Sequence, residues 1–569
     1  MSQYSNVKTF VTKYLEFRYL PFILAAFHFL VVFYVSTSQH QVGDYNLETD
    51  FYERYVPYAQ KFLDGQFPID GFQGPLYPIM LAVFKSITGD FMLAGQLINA
   101  LGVSLFLLSI YLVFKKLFTV EVAAIAFLIT AINRHYFQNT YSCGTDMLFL
   151  ALLGGMMYFM FRDKEQKWVN LILTGLFAGL AFLTRFNGLF MIVGVLFSYL
   201  VLNIYNTDWK NRFIASGVVF AVFWLIYTPY GLHTLAEKES FLFNTNYKNL
   251  AYTYLAEPAG VGWDQFWHTK WVVKNNINGL TDIVFADFGG FVSRYFSSLL
   301  SNINEDFNQL IGFSDVPSGK GSSSEFSLYG WSVGILFFLG AVSYIIQPAE
   351  DKRELAYGVL GLVFFGVLGL VFHSVRFSMF LLPFYLAFAC RPFITQKVTE
   401  KLSFAPSIPV VVGLIFFFVG YKVNKEFNLE PRSMNGRTMP PRISEGPKEM
   451  LEVKKWFEQK RPNESNESVI FARKPHVAFY AGLKLAKFPI LDLGDGKGLT
   501  YQDLWEKFHE KVKEKNVKYI YYGYWEYANR PQMRIFTKPK QVPKDKYRLV
   551  HYHNIPRTQL KGFLYQVID

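Results

Sequence analysis

Residues 47–78 read LETDFYERYVPYAQKFLDGQFPIDGFQGPLYP and separate two apolar stretches, one over residues 19–35 and one that begins near Leu76. This segment is too polar to lie in lipid, and it is too rich in aromatic residues for a plain connector. It therefore predicts a small folded cap at a membrane surface, with the carboxylate of Asp50 as a candidate functional group. The alternative for Asp50 is a cap on a helix that begins at Phe51, because Asp is a favoured capping residue.

Apolar blocks follow one another along most of the chain. Of its 569 residues, 51% are hydrophobic, and only 18% are charged. The blocks are about 16 to 24 residues long, which is the length that crosses a bilayer as a helix. The fold class predicted is a polytopic α-helical membrane protein with about eleven transmembrane helices and a small C-terminal soluble α/β domain. The predicted spans are residues 19–36, 90–114, 119–136, 143–161, 168–184, 187–206, 212–230, 329–347, 354–372, 376–391 and 405–422.

The short loops fix the predicted orientation. Their Lys and Arg residues fall on one side of an eleven-span arrangement, and that side is cytoplasmic by the positive-inside rule. The N-terminus is then cytoplasmic, and the loops 37–89 and 231–328 face outward together with residues 424–569. We expect a bacterial-type cytoplasmic (inner) membrane, with residues 1–423 as the membrane region and residues 424–569 as an extracytoplasmic domain.

Helices and strands alternate in residues 424–569, which predicts the α/β domain. Helices are expected over residues 448–460 and 501–515, a strand in NVKYIYYG, and a strand pair in YRLVHYHN and GFLYQVI. This part of the chain carries most of the net charge of +12 but contains no nucleic-acid-binding motif. Both cysteines, Cys143 and Cys390, lie outside it, so we expect no disulfides there.

Three further ionisable residues fall at the predicted outer ends of spans. They are Asp146 in NTYSCGTDMLF, Arg185 in FLTRFNG and Arg376 in HSVRFSMFLLP. Charged groups at membrane depth are costly, which makes each a functional candidate. A carboxylate can accept a proton from an attacking hydroxyl, and arginines can hold a phosphate through paired hydrogen bonds. Asp50 and Asp146 are therefore the candidate catalytic residues, and Arg185 and Arg376 are the candidate phosphate-binding residues.

Each of these residues also has a structural interpretation. Asp146 could cap the following helix, and the two arginines could extend to the lipid headgroups. Four more polar residues are candidate substrate contacts, although some of them equally fit interfacial anchors or packing residues: Gln73, Tyr77, Arg134 and His135. No cluster of His and Asp with metal-ligand spacing accompanies Asp50. The sequence therefore predicts no certain cofactor and leaves a divalent metal open.

The order of five motifs resembles the membrane glycosyltransferases of the GT-C superfamily. The motifs are TDFYERYVPYAQKFLDG, GPLYPIMLAVF, TYSCGTDMLF, LTRFNGL and VRFSMFLLPF. The resemblance is strongest to the branch with the protein O-mannosyltransferases and the lipid A aminoarabinose transferases (families 39 and 83). The chain departs from this branch in two places. It has a single acid in Thr49-Asp50-Phe51, and it has Gln73-Gly74-Pro75 where the aminoarabinose transferases carry a lysine. The Trp-Trp-Asp signature of oligosaccharyltransferases is absent.

The resemblance implies an inverting glycosyltransferase with a polyprenyl-phosphate-linked sugar as donor. The acceptor would be a hydroxyl of a protein, a lipid or a cell-envelope glycan, at the outer face of the membrane. By this likeness Asp50 matches the catalytic acid of the first loop and Asp146 the acid of the second outer loop. Two alternatives remain: a lipid-linked sugar transporter or flippase, and a non-catalytic GT-C relative that serves as a subunit of a membrane complex.

Overall fold

The computed structural model describes residues 15–39, 50–162, 167–312, 326–348, 350–370, 374–394, 407–424, 433–434, 437–438, 448–489, 491, 501–523, 526–527, 530–554 and 561–568. The chain divides into two compact units. The first comprises residues 1–37 and 58–428, and the second comprises residues 38–57 and 429–569. The second unit therefore includes the Asp50 segment (residues 50–57) of the first loop.

The membrane region up to residue 424 is helical wherever it has regular structure in its described residues. Its α-helices are α1 (Leu20–Gln39), α2 (Val56–Leu63), α3 (Leu76–Thr88), α4 (Phe91–Leu117), α5 (Val120–Ile132), α6 (Arg134–Tyr141), α7 (Asp146–Phe161), α8 (Lys167–Thr184), α9 (Gly188–Phe197), α10 (Trp209–Lys238), α11 (Tyr247–Ala251), α12 (Trp263–His268), α13 (Trp271–Lys274), α14 (Leu280–Ala286), α15 (Phe288–Glu305), α16 (Leu328–Ile346), α17 (Lys352–Leu368), α18 (Val375–Ser378), α19 (Leu381–Ile394) and α20 (Ser407–Asn424). Short π-helices cover Phe51–Tyr55, Ser198–Leu202, Tyr252–Ala256 and Asp306–Ile311.

The length and hydropathy of these helices make the chain an integral membrane protein. Among the described residues, five helices are long and apolar enough to cross a bilayer: α1, α4, α8, α10 and α16. A sixth span results if α5 and α6, which meet at an angle of 53°, are taken together. Each of the eleven predicted spans contains a helix, but several are short, so the number eleven stays a prediction.

Small residues allow close contact between neighbouring helices of the first unit. A Cβ atom on Gly102 of α4 would lie 2.7 Å from the backbone oxygen of Met147 on α7. A Cβ atom on Gly175 of α8 would likewise lie 2.7 Å from the backbone oxygen of Val219 on α10. Such small-residue contacts are typical of helix packing in membranes, where there is no water to drive helices together. They fix the position of α7 and α8, whose ends carry Asp146 and Arg185.

Part of the long loop 231–328 has a core of its own. Tyr254, Phe266 and Ile283 are buried together, with α11 to α15 arranged around them. The amphipathic helix expected near residues 290–300 is α15, and Asp287 caps it by accepting a hydrogen bond from the backbone nitrogen of Gly290 at 2.9 Å. The loop is therefore a folded element rather than an irregular connector over its described residues.

The second unit contains a mixed β-sheet with helices. Its elements are β1 (Ser433–Met434), β2 (Arg437–Thr438), α21 (Lys448–Lys460), β3 (Val469–Ala472), α22 (Pro475–Ala481), β4 (Lys484–Lys487), α23 (Tyr501–Glu514), β5 (Val517–Tyr522), a 3₁₀-helix (Pro531–Thr537), β6 (Tyr547–Asn554) and β7 (Lys561–Val567). Five strands form one sheet in the order β4-β3-β5-β7-β6. The pairs β3–β4 and β3–β5 are parallel, and the pairs β5–β7 and β6–β7 are antiparallel.

The alternation of side chains along the central strand explains the two cores of this sheet. Tyr519 of β5 is buried against Phe457 of α21, while Ile520 and Tyr522 belong to a second cluster with Phe508 of α23. Successive strand residues point to opposite faces, so a strand with the buried run Tyr519–Tyr522 needs a helix on each face. The expected helices and strands of this domain are thus present.

Candidate active site

Asp146 lies at the start of α7 and is buried, with 6% of its surface exposed. Its carboxylate forms an ion pair with the guanidinium of Arg185, and the Nη1 atom of Arg185 also donates to the hydroxyl of Thr145 at 3.3 Å. Arg185 comes directly after α8 ends at Thr184. Asp146 and Arg185 therefore meet, because the N-terminal end of α7 lies beside the C-terminal end of α8.

Arg376 and Arg185 both contact the aromatic ring of Phe377. The guanidinium carbon of Arg376 lies 4.9 Å from the ring centre of Phe377, and that of Arg185 lies 5.0 Å from the same centre. Cations are attracted to the face of an aromatic ring at this distance. Of the predicted residues, the structure thus brings Asp146, Arg185 and Arg376 together around Phe377.

A small cavity of about 10 Å³ lies at this cluster, which we call the arginine cluster (Asp146, Arg185, Arg376 and Phe377). Its wall also includes Phe149, Leu150, Asn187 and Phe364. The side-chain oxygen of Asn187 is buried and has no hydrogen-bond partner among the described residues. A cavity of this volume holds about one water molecule. The cavity between the two guanidinium groups is therefore small in this structure.

Gln73 and Tyr77 lie near the same end of α8 but do not line this cavity in the part of the chain that the structure describes. The Cβ position of Gly74 is 1.9 Å from the backbone oxygen of Leu183, two residues before Arg185. The Gln73 side-chain oxygen is buried without a hydrogen-bond partner among the described residues, and Tyr77 is fully buried. The first loop therefore packs tightly against the turn that carries Arg185.

Arg134 and His135 belong to a different polar cluster. The Nε atom of Arg134 is 3.2 Å from Nε2 of His135, and that histidine nitrogen is 3.1 Å from the backbone oxygen of Gln309. Asn133 caps α6 through the backbone nitrogen of His135 and also donates to the backbone oxygen of Leu310 at 2.7 Å. These contacts connect α6 to the π-helix Asp306–Ile311.

The π-helix Asp306–Ile311 contains polar residues that the sequence analysis did not single out. Asp306 is fully buried and accepts a hydrogen bond from the Tyr385 hydroxyl at 2.8 Å. Gln309, which is also buried, donates to Glu305. Single-turn π-helices occur frequently at functional sites. The run of acidic and amide residues in NEDFNQ, at the end of a long loop, was the signal that could have identified them.

Asp50 belongs to the second unit and directly precedes the π-helix Phe51–Tyr55. Its side chain makes no capping hydrogen bond, so the capping interpretation lacks its defining contact. Instead a carboxylate oxygen lies 3.7 Å from Nε of Arg54, and both side chains are 29% exposed. Asp50 is thus a partly exposed carboxylate in a loose ion pair, in contrast to the buried Asp146.

Residues next to Asp50 pack on the C-terminal sheet domain. The ring centre of Tyr52 lies 4.8 Å from that of His476 and 4.7 Å from that of Phe479, both on α22. Glu53 forms an ion pair of 2.9 Å with Lys487 at the end of β4. Burial, and to a smaller extent the charge of Lys474, lowers the pKa of His476 to about 3, so this ring is neutral at pH 7.

A metal site is not evident in the described residues, where no three His, Cys, Asp or Glu side chains are grouped to hold an ion. Both cysteines are free and buried. Among the described residues of the first unit, the arginine cluster combines one carboxylate with two guanidinium groups.

Comparison with known proteins gives the class of this fold. Residues 72–230 match the sequence profile of the family described as dolichyl-phosphate-mannose-protein mannosyltransferase. No curated protein has a sequence that matches the chain. The fold resembles that of ArnT from Cupriavidus metallidurans, solved with undecaprenyl phosphate, at 12% identity and a TM-score of 0.53, covering 96% of this chain and 98% of that one.

A second solved structure has the same fold. The archaeal oligosaccharyltransferase AglB from Archaeoglobus fulgidus, solved with an inhibitory peptide and a dolichol-phosphate, matches at 14% identity and a TM-score of 0.54. The match covers 96% of this chain and 74% of that one. The chain is thus a membrane protein with a fold similar to those of ArnT and AglB. The resemblance to the protein mannosyltransferase branch that the motif order indicated is confirmed by the family match over residues 72–230.

Proposed function

We propose that the chain is an inverting glycosyltransferase that moves a sugar from a polyprenyl-phosphate donor to an acceptor hydroxyl. The observation that carries the proposal is the arginine cluster, in which two guanidinium groups and one buried carboxylate surround Phe377. Supporting evidence comes from the two structural relatives, ArnT and AglB, whose structures contain undecaprenyl phosphate and a dolichol-phosphate. Guanidinium groups bind phosphate through paired, charge-assisted hydrogen bonds.

Arg185 and Arg376 hold the donor phosphate in this proposal. Guanidinium groups form two parallel hydrogen bonds to a phosphate, and these bonds strengthen as negative charge builds up on the departing group. Asp146 orients Arg185 rather than accepting a proton, because its carboxylate is already bound to that guanidinium. Gln73 lies outside the cavity wall and is a candidate contact for the donor sugar, since its buried side-chain oxygen has no partner among the described residues and can accept a hydrogen bond from a hydroxyl.

Asp50 is the proposed base. The acceptor hydroxyl gives its proton to the Asp50 carboxylate while its oxygen attacks the anomeric carbon from the face opposite the phosphate. The bond between that carbon and the phosphate oxygen breaks, and its electron pair leaves with the polyprenyl phosphate. Arg134 and His135 act as structural anchors in this scheme, because Nε2 of His135 lies within hydrogen-bond distance of Arg134 and of the Gln309 backbone oxygen. Tyr77, fully buried, is a packing residue.

The acceptor is a hydroxyl of a protein, a lipid or a cell-envelope glycan. The reaction takes place at the outer face of a cytoplasmic membrane, where nucleotide sugars are absent and a lipid-linked donor is therefore required. This placement follows from the distribution of Lys and Arg in the short loops, which puts the N-terminus inside and the domain of residues 424–569 outside.

A transfer assay with purified protein in lipid tests the proposal. The donor would be a radiolabelled mixture of polyprenyl-phosphate sugars and the acceptor a membrane extract, with wild type compared with Asp50→Asn. We expect transfer by the wild type and a loss of at least about a hundredfold in the variant, the range that a general base contributes. Asp90→Asn is the matched control, because Asp90 is an exposed cap of α4 and asparagine caps a helix equally well.

Each outcome of this assay decides between the candidate functions. Equal transfer by wild type and Asp50→Asn would remove Asp50 from the mechanism. Absence of transfer by the wild type across the whole donor mixture would instead favour a lipid-linked sugar transporter or a non-catalytic subunit. Uptake of the labelled lipid into the inner leaflet of sealed vesicles would then separate these two.

A further inference from the structure

The Asp50 segment belongs to one compact unit with residues 429–569, from the other end of the chain. Phe51, Tyr52 and Tyr55 are buried within this short segment. The ring of Tyr52 packs on His476 and Phe479, and Glu53 pairs with Lys487. All of these partners belong to α22 and β4, at the edge of the five-stranded sheet.

The aromatic contacts of the Asp50 segment are stronger than its ion pair. An aromatic pair in contact at ring distances below about 5 Å is favourable beyond the apolar area that it buries. The pair between Glu53 and Lys487 is weaker, since the Lys487 side chain is 64% exposed, although that of Glu53 is only 15% exposed. The aromatic contacts therefore hold the segment, and the ion pair favours one orientation of the π-helix that follows Asp50.

We propose that the C-terminal sheet domain positions Asp50 for the reaction, and that Tyr52 and Glu53 are positioning residues which act through α22 and β4. The inference rests on the proposed function, because it assigns the domain a role in holding the catalytic base. Asp50 itself is only loosely paired, at 3.7 Å from Arg54, so its backbone must be fixed by its neighbours. A base displaced by about 1 Å loses much of its effect on the rate.

A charge exchange in the full-length protein tests the ion pair. The variants are Glu53→Lys, Lys487→Glu and the double exchange, and the control is Lys484→Glu, which reverses an exposed charge on the same strand where Lys484 pairs with Glu467. We expect each single variant to lower kcat about fivefold, because like charges then face each other. The donor KM should stay unchanged, and the double exchange should restore kcat. Lys484→Glu should match the wild type.

Hydrogen exchange of residues 50–57 is the second measurement, and it does not depend on activity. The single variants should exchange faster in this segment, and the double variant should return to the wild-type rate. Tyr52→Ala should exchange faster still and lose at least about tenfold in kcat, since it removes both ring contacts, whereas Tyr52→Phe should retain them.

The outcomes separate this inference from the proposed function. Exchange rates in residues 50–57 equal to those of Lys484→Glu would overturn it, whatever the activity. Faster exchange with unchanged kcat would also overturn it, because the contact would then be structural only. A wild type without transfer activity would overturn the proposed function and with it the positioning role, while the exchange data would still decide whether the domain holds the segment.

Discussion

Arg185 contacts groups of different chemistry, which include the carboxylate of Asp146, the hydroxyl of Thr145 and the ring of Phe377. Each of these contacts restricts the planar guanidinium in a different direction. The side chain is therefore fixed before a donor binds, which reduces the entropy lost on binding. A flexible cation of the same charge cannot reproduce this arrangement, because lysine lacks the fork of donors and the flat face.

Two substitutions of Arg185 distinguish the contribution of its charge to donor binding from the contribution of its planar guanidinium shape. We expect Arg185→Lys to raise the donor KM at least about tenfold and Arg185→Gln to raise it further, since each loses the paired hydrogen bonds to phosphate. Steady-state kinetics with one defined polyprenyl-phosphate sugar measure this. Arg212→Lys is the control, because Arg212 lies at the start of α10 and contacts the backbone oxygen of Thr207. A donor KM unchanged in both Arg185 variants would contradict the phosphate-binding role.

Asp146→Asn should affect both stability and catalysis. It leaves the guanidinium of Arg185 without its carboxylate partner, and breaking a buried ion pair costs about 3–5 kcal/mol. We expect a lower melting temperature and reduced transfer. The double variant Asp146→Asn with Arg185→Gln should recover much of the stability but none of the activity. Recovery of activity in that double variant would contradict the role of the pair in donor binding.

At the scale of elements, the turn before α3 depends on the absence of a side chain at Gly74. A Cβ atom there would lie 1.9 Å from the backbone oxygen of Leu183, and backbone cannot yield as a side chain does. We expect Gly74→Ala to lower both the melting temperature and the transfer rate. Gly217→Ala on α10 is the matched control, because a Cβ atom there meets nothing within 4 Å. Equal effects of the two substitutions would contradict this explanation.

The contact between α22 and the Asp50 segment should weaken in acid. Burial, together with the charge of Lys474, lowers the pKa of His476 in the folded protein to about 3, and in the unfolded chain it is about 6.5. The unfolded state thus binds the proton first, and the stabilisation is complete above pH 6.5 and decreases as the pH falls towards 3. His476→Phe keeps a ring for Tyr52 to pack on. Between pH 7.5 and pH 5 this variant should lose less stability than the wild type. If the melting temperatures of the wild type and His476→Phe decreased by the same amount over this pH range, the result would contradict the prediction.

Several elements follow from the sequence because their patterns are local. The apolar run NVKYIYYG becomes β5, and the expected helix near residues 290–300 becomes α15. The arginine cluster was also predictable in part, since Asp146, Arg185 and Arg376 each interrupt an apolar run where a span ends. The π-helices were not, because the FYERY and DFNQLI segments carry no local signal for an i to i+5 hydrogen bond.

At the scale of the whole molecule, the orientation in the membrane can be tested with single cysteines. Cys143 and Cys390 are buried, so they should not react in the native protein. Lys513→Cys, exposed on α23, should react with a membrane-impermeant maleimide on intact cells. Lys210→Cys, in a predicted cytoplasmic loop, should react only after the membrane is opened. The reverse pattern would contradict the predicted topology.

The membership of the two units could not be inferred from the order of residues along the chain. Residues 38–57 belong to the same unit as residues 429–569, although residues 58–428 of the first unit lie between them in sequence. Contacts such as Tyr52 with His476 depend on side-chain fit over a long sequence separation, and no composition or periodicity records that fit. The three-dimensional structure reveals them.

The discontinuous second unit has a consequence for synthesis on the ribosome. His476 follows Tyr52 by about 420 residues. At roughly 5–20 residues per second, the Asp50 segment waits about 20 to 80 seconds for its partner strand and helix to be translated. During that interval its buried aromatic rings have no sheet to pack on. A nascent chain arrested before residue 475 would therefore carry the segment unfolded, and maturation would be complete only after the last strands have left the ribosome.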